Sequence, residues 1–171
     1  MSPGTPHETD QPSAVRLADG AGGLSIVVAV GGRDAERVGG LADADLAGPS
    51  LASVHVVHAY TPEQFDETTD RLNFDADAPP EPDAVARRTK AVRDLVDRLE
   101  STTADDATRI EIHGTVSDDV GEAIVDLATD VEADRVLVGG RKRSPAGKAV
   151  FGSTAQHVLL NAECPVTFVR D

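Results

Sequence analysis

The sequence has few aromatic residues and almost no cysteine. Aromatics make up 3% of the chain and tryptophan is absent, so a core has to be built from Val, Leu, Ile and Ala. The single cysteine, Cys164, excludes an internal disulfide and a zinc site made of several cysteines. No apolar run approaches the roughly 20 residues of a membrane-spanning helix. The polar first residues lack the apolar stretch of a signal peptide. We therefore expect a cytoplasmic protein with no membrane partner.

Basic residues are also scarce. Acidic residues number 30 against 16 basic ones, and the formal net charge is −14. Such a surface repels polyanions, which disfavours a nucleic-acid partner. Few of the basic residues are lysines. This acidic, lysine-poor composition is typical of haloarchaeal proteins from a high-salt cytoplasm, where salt screens the repulsion between carboxylates. An ordinary acidic soluble protein is the alternative.

The hydrophobic pattern predicts one α/β domain at residues 24–171 after a disordered tail at residues 1–23. The first predicted strand is apolar on both faces, as in a parallel sheet. Five strands are predicted, at 24–30, 52–60, 109–113 (broken by Gly114), 134–138 (stopped by Gly139) and 165–170. Four helices are predicted, at 34–46, 82–101, 120–131 and 153–161. Ser117 is the expected N-cap of the third helix. Residues 61–81 are predicted to form a long polar loop, with room for short helical pieces that the sequence does not place. This alternation predicts a doubly wound, three-layer parallel sheet.

The loop from Gly139 to Thr154 is the most informative segment for function. It contains four of the basic residues within eight positions, an anomaly in so acidic a chain. Glycines let main-chain N–H groups approach a ligand closely, and the helix that opens at Ser153 offers unpaired N–H donors to an anion. The sequence therefore predicts a phosphate site here. The alternative is a capping box, in which Ser153 and Gln156 satisfy the start of their own helix.

The sequence shows none of the usual motifs of nucleotide binding, metal binding or nucleophilic catalysis. The position where a P-loop has its first glycine holds Lys142, and no Gly-x-Gly-x-x-Gly follows the first strand. His55 and His58 are three residues apart in a predicted strand, so they point to opposite faces and cannot bind one metal together. No nucleophile with a supporting base is recognisable. We therefore expect neither catalytic residues nor a metal site.

The sequence resembles the universal stress protein family. The family has a Gly, two residues, a second Gly, nine residues and then Gly-Ser or Gly-Thr; here Gly139 and Gly152-Ser153 match, while Lys142 stands at the second Gly. Further resemblance covers residues 133–139, 163–166 and 55–59. Where the family usually has an Asp after its first strand, this chain has Gly31.

The resemblance implies a Rossmann-like fold of the adenine nucleotide alpha hydrolase type, with strand order 3-2-1-4-5. It also implies a homodimer formed through the last strand, from Pro165 to Arg170, and ATP with Mg²⁺ as a candidate ligand. The expected nucleotide-binding residues are Val30, Gly31, Ala59, Gly139, Gly140, Arg141, Gly152, Ser153 and Thr154.

The function expected from this resemblance is regulatory rather than enzymatic. The chain would act in the stress response and would bind ATP or a related nucleotide through the Gly139–Thr154 loop. A nucleotide-free dimeric interaction or scaffold protein of the same fold, with a protein partner, is the first alternative. A nucleotide hydrolase is a weaker one.

Overall fold

Five parallel strands form the centre of the described structure. The computed structural model describes residues 23–31, 51–74, 78–102, 108–140 and 151–170. The strand order is β3-β2-β1-β4-β5, which confirms the predicted doubly wound topology. The strands are β1 (Leu24–Ala29), β2 (Leu51–Tyr60), β3 (Arg109–Val116), β4 (Arg135–Gly140) and β5 (Val166–Arg170).

Helices cover both faces of this sheet. The described helices are α1 (Pro62–Arg71), α2 (Pro82–Arg88), α3 (Lys90–Thr102), α4 (Val120–Asp130) and α5 (Ser153–Asn161). Within the described residues, no helix is long and apolar enough to cross a membrane. The predicted helix at 34–46 lies outside the described residues, as does the predicted tail except for its last residue, Gly23.

Strand β1 is buried on both faces and divides the core into two layers. Ile26 and Val28 pack on one side of the sheet, against a helix face of α3 that includes Leu95. Val27 and Ala29 pack on the other side, with residues of α4 and α5. Because successive side chains of a strand alternate between faces, the apolar run of β1 supplies both layers. Each fully buried valine contributes about 1.5–3 kcal/mol of transfer free energy.

The predicted long loop at 61–81 contains a helix that the sequence pattern did not place. Its first half is helix α1, whose N-cap Thr61 forms a capping box with Gln64. The Gln64 N–H donates to Thr61 Oγ1 over 3.3 Å, and the Thr61 N–H donates to Gln64 Oε1 over 3.1 Å. Pro62 at the first helical position costs nothing, because its missing N–H has no partner inside a helix. The prolines indicated a helix start rather than a structureless segment.

The single helix predicted at 82–101 is two helices, α2 and α3, separated by Thr89. Thr89 has an extended backbone, with φ −69° and ψ 126°. Its hydroxyl donates to the Val85 carbonyl over 3.1 Å and lies 2.9 Å from the Tyr60 hydroxyl. A contact with β2 therefore fixes the break, and apolar periodicity within the segment could not reveal it.

Three other predicted boundaries were also wrong. Strand β3 continues through Gly114 to Val116, and β4 includes both of its final glycines. The N-cap of α4 is Asp119, which accepts from the Glu122 N–H over 3.0 Å, whereas Ser117 accepts from the Asp119 N–H. Helix α5, in contrast, spans Ser153–Asn161 as predicted, with Gly152 as its N-cap.

Gly114 allows the start of α2 to pack against β3. A Cβ at this position would collide with the main-chain carbonyl of Pro82, and the Gly114 N–H donates to Asp83 Oδ1 over 2.6 Å. Since the obstacle is backbone, a side chain cannot rotate away to relieve the collision.

We expect Gly114→Ala to lower the free energy of unfolding by about 3 kcal/mol, because it forces α2 away from β3. Chemical denaturation followed by circular dichroism measures the change. Gly152→Ala is the matched control, since a Cβ there meets nothing within 4 Å, and its loss should stay below about 1 kcal/mol. Equal, small losses in both variants would contradict the close packing.

Candidate functional site

A cleft of about 890 Å³ lies at the carboxyl ends of the central strands. Its floor includes Val30 and Gly31 after β1, Ala59 near the end of β2, and Gly139 near the end of β4. Strands β2 and β4 flank β1 on opposite sides, so the chain reverses its winding direction here. Crevices at such switch points are the usual ligand sites of open parallel sheets.

The N-terminus of α5 forms one wall of this cleft. Ser153 and Thr154 line it, and no side chain caps the helix at Gly152. The main-chain bond from the Gln156 N–H to the Gly152 carbonyl, 2.9 Å long, is the first of the helix. The N–H groups of the first turn therefore have no helical acceptor. The capping-box alternative for Ser153 is not what the structure shows.

Helix α4 is held against α5 beside the cleft. Asp119 Oδ2 lies 3.4 Å from His157 Nδ1. A Cβ on Gly121 would lie 2.6 Å from the Cβ of His157, so the two helices approach closely at this point. Asp119 thus both caps α4 and contacts α5, and these contacts fix the position of the α5 N-terminus relative to the sheet.

Cations from the first helices face the same cleft. Arg71 at the end of α1 and Lys90 at the start of α3 line it, and Lys90 forms an ion pair with Asp94 on its own helix. Glu67 and Asp118 also line the cleft. With Asp119, three carboxylates line the described wall, together with positive side chains and helix N–H donors. Sequence reasoning missed Arg71 because the sequence pattern placed no helix in its segment.

The structure brings most of the predicted site residues together. Six of them line the cleft: Val30, Gly31, Ala59, Gly139, Ser153 and Thr154. Gly140 instead packs against Phe168 of β5, and Gly152 faces open space. Arg141 lies outside the described residues, together with the rest of the basic loop. The ring of Phe151 stacks edge-on against Phe168, 4.8 Å between centroids, and this contact anchors the turn before α5.

His58 is a buried polar residue in the cleft wall that the sequence did not single out for function. Its side chain contacts the Val30 backbone through a hydrogen bond, and its ring lies 4.4 Å from that of Tyr60. Its Nδ1 atom has no hydrogen-bond partner among the described residues. Burial lowers the pKa of His58, so the imidazole is neutral at physiological pH. Burial also raises the pKa of Tyr60.

A second group of ligand atoms lies away from the cleft. His55, Glu111 and His113 place one ligand atom each within 4.8 Å of the others. His55 and His58 do lie on opposite faces of β2, as expected from alternation. Sequence reasoning missed this group because its members come from two strands, and only the strand register brings them together.

Known proteins share this architecture. A sequence model of the universal stress protein family matches residues 24–170. The chain belongs to this family. Its five parallel strands in the order 3-2-1-4-5 form the Rossmann-like fold found in solved universal stress proteins.

Individual relatives agree with the assignment. A universal stress protein of Mycolicibacterium smegmatis is 32% identical over 88 residues, which is 52% of this chain and 65% of that protein. The match thus spans less than two thirds of that relative. A solved universal stress protein of Archaeoglobus fulgidus is 32% identical with a TM-score of 0.55, covering 85% of this chain and 98% of its own. A structure from the same organism in complex with dAMP is 23% identical with a TM-score of 0.53, covering 85% and 97%.

We expect the free energy of unfolding to fall as the pH is lowered from about 7 to about 5. The pKa of His58 is lower in the folded chain than its ordinary value of 6.5. Below a pH of about 6.5 the unfolded chain binds more protons at this histidine than the folded chain does. The contribution of His58 to the free energy of unfolding is therefore fully present above about pH 6.5 and is lost as the pH falls toward the folded pKa. His58→Leu removes this proton uptake, and its stability should fall less over the same range.

Urea unfolding at several pH values measures this effect. Unfolding at about pH 8, where the imidazole is neutral in both states, reports the packing change of His58→Leu alone and serves as the control. An unchanged pH dependence in His58→Leu would show that this histidine does not titrate with folding.

Proposed function

We propose that this universal stress protein is a regulatory module that binds an adenine nucleotide in the cleft at the ends of β1, β2 and β4. The observation that carries the proposal is the uncapped N-terminus of α5, which faces this cleft at Ser153 and Thr154. Among adenine nucleotides, ATP with Mg²⁺ is the first candidate ligand to be tested. The proposed setting is a high-salt cytoplasm, in keeping with the net charge of −14.

The phosphates would occupy the end of the cleft at α5. Main-chain N–H donors and the positive end of the helix dipole favour a negatively charged group there by about 0.3–1 kcal/mol or more. Gly139 lets the main chain approach the ligand without a side chain in between. The hydroxyls of Ser153 and Thr154 add donors. Asp118, exposed in the same cleft, is a carboxylate suited to Mg²⁺.

The base and ribose would occupy the remainder of the cleft. Its apolar lining includes Val30, Ala59 and Ile124, and its volume falls within the roughly 300–1,000 Å³ of small-molecule sites. The unpartnered Nδ1 of His58 lies in the same wall, and buried polar atoms of this kind usually have a partner. Gly31 offers no side-chain acceptor, so base recognition would rest on main-chain groups and His58.

The dAMP complex of the Archaeoglobus fulgidus protein agrees with this proposal. At 23% identity the likeness shows the fold alone, so the argument for this chain rests on its own cleft. Regulation rather than turnover is proposed because the Gly139–Thr154 segment, where the phosphates would bind, contains no carboxylate. Of the carboxylates elsewhere in the cleft, Asp118 is assigned to Mg²⁺ and Asp119 contacts His157.

Calorimetric titration of the full chain with ATP, AMP and adenosine in molar KCl with Mg²⁺ tests the proposal. We expect saturable binding of the nucleotides. Ser153→Asp should weaken their binding at least about tenfold, because it places a carboxylate where the phosphate binds, while an acidic residue in a first helical turn leaves the helix stable.

Asn161→Asp is the matched control, because it adds the same charge at the other end of α5, about 12 Å away. The affinity of Asn161→Asp for the nucleotides should stay near that of the parent chain. No binding at millimolar ATP or AMP would end the proposal in favour of a nucleotide-free interaction protein. Equal weakening in both variants would place the phosphates elsewhere.

We also propose that two copies pair through β5, which is an edge strand of the sheet. The Val136 N–H donates to the Pro165 carbonyl over 3.0 Å, so alternation directs the N–H of Val166 away from β4. Unpaired edge groups of this kind invite pairing with a second strand.

Light scattering coupled to size exclusion should therefore give twice the chain mass of 17.8 kDa. Val166→Pro removes the outward N–H and should shift the mass toward that of one chain. A monomer at every concentration, or a variant that stays dimeric, would contradict pairing through this edge.

A further inference from the structure

We propose that His55, Glu111 and His113 bind a divalent first-row transition metal ion. Zn²⁺ is the ion used to test the site. The ligand atoms are His55 Nδ1, His113 Nε2 and Glu111 Oε2. Two imidazoles and one carboxylate form a donor set that zinc uses with a fourth, open position. The site is separate from the nucleotide cleft, whose described lining contains none of these three residues.

The strand register brings the three side chains to one face of the sheet. His55 of β2 is directly opposite Glu111 of β3, and Val57 is opposite His113. Because side chains two residues apart share a face, Glu111 and His113 both lie beside His55. Each ligand sits on a strand rather than on a loop, which gives a metal site rigid geometry.

The distances between ligand atoms suit a shared ion. His55 Nδ1 lies 3.0 Å from His113 Nε2 and 3.8 Å from Glu111 Oε2. His113 Nε2 lies 3.9 Å from the same oxygen. Ligands about 2.0 Å from a tetrahedral zinc ion are about 3.3 Å apart, so shifts of a few tenths of an ångström place all three around one ion.

Neighbouring groups hold two of the ligands in place. His55 Nε2 lies 3.1 Å from Ser53 Oγ, which lies 3.1 Å from Ser25 Oγ. A hydrogen bond at the second ring nitrogen is how metal-binding histidines are usually oriented. Arg109 lies 3.6 Å from the other carboxylate oxygen, Glu111 Oε1, which leaves Oε2 for the metal. The positive charge of Arg109 opposes cation binding, but its ion pair with Glu111 Oε1 offsets part of that charge.

Two of the three ligands are partly open to solvent. The His55 side chain is 8% exposed, those of His113 and Glu111 are 25% and 39% exposed, so an ion can enter past the last two. A groove next to His113 is lined by the carboxylates of Asp83, Glu122, Asp126 and Asp130. These charges raise the local concentration of cations at the entrance.

Without a metal, the two imidazoles satisfy each other with one N–H···N hydrogen bond. One of the two facing nitrogens then carries a proton. Metal binding needs a lone pair on both, and that proton moves to the second nitrogen of the same ring.

Titration of the untagged full chain with Zn²⁺ and with Co²⁺ tests the site. We expect one ion per chain for each metal. Bound Co²⁺ should show the strong visible absorption of a four-coordinate ion with nitrogen ligands. Mg²⁺ and Ca²⁺ should not displace it, because these ions prefer all-oxygen ligand sets.

His113→Gln and Glu111→Gln are the decisive variants, since their side chains are partly exposed and the chain should still fold. Each removes a ligand and should weaken Zn²⁺ binding more than about 100-fold. Ser53→Ala removes only the orienting group of His55, and about tenfold weakening is expected. Glu100→Gln, exposed on α3, and His7→Gln are matched controls and should bind as the parent does.

Several results would overturn the proposal. Failure to bind Zn²⁺ at a one-to-one ratio, or equal affinity in His113→Gln and the parent, would do so while leaving the nucleotide proposal intact. A loss of binding in His7→Gln would place the metal at the chain start instead. Circular dichroism of each variant confirms that the chain is folded, so that lost binding reports a lost ligand.

Discussion

The rest of the structure depends on β1 being buried on both faces. A strand of alternating Ile26, Val27, Val28 and Ala29 must be covered on each side, so helices pack above and below the sheet. The chain then adds strands to both edges of β1, with β2 on one side and β4 on the other. The crevice at their carboxyl ends is a consequence of that arrangement. The cleft therefore follows from the core before any binding residue is considered.

Much of this fold could be predicted because the signals are local and redundant. Apolar runs marked the strands, and the order 3-2-1-4-5 followed from the family resemblance. Two of the errors share one physical origin. The break at Thr89 is fixed by the Tyr60 hydroxyl 2.9 Å away, and β3 continues through Gly114 because its pairing with β2 runs on to Val116. Each boundary is decided by a residue distant in sequence, and a pattern within one segment carries no trace of it.

Only one part of the candidate site could be predicted from the sequence. The main-chain part, from Gly139 to Thr154, has a spacing that the sequence displays directly. The side-chain part does not: Arg71 reaches the cleft only because Thr61 and Gln64 start a helix. The group around His55 is the extreme case. Its ligands are separated by 56 residues between His55 and Glu111, and only their opposition in the β2–β3 ladder places them side by side.

The two proposed sites share β2, and the geometry of a strand keeps them apart. His55 and His58 are three residues apart, about 10 Å along the strand, and alternation places them on opposite faces. The ladder bonds hold the peptide groups between them, with Val56 and Val57 fully or almost fully buried. A close-packed strand transmits little displacement unless it has a second stable arrangement. A metal ion on β2 and β3 would thus hold an edge strand in place, while a ligand in the cleft would act on α5 and the end of β4.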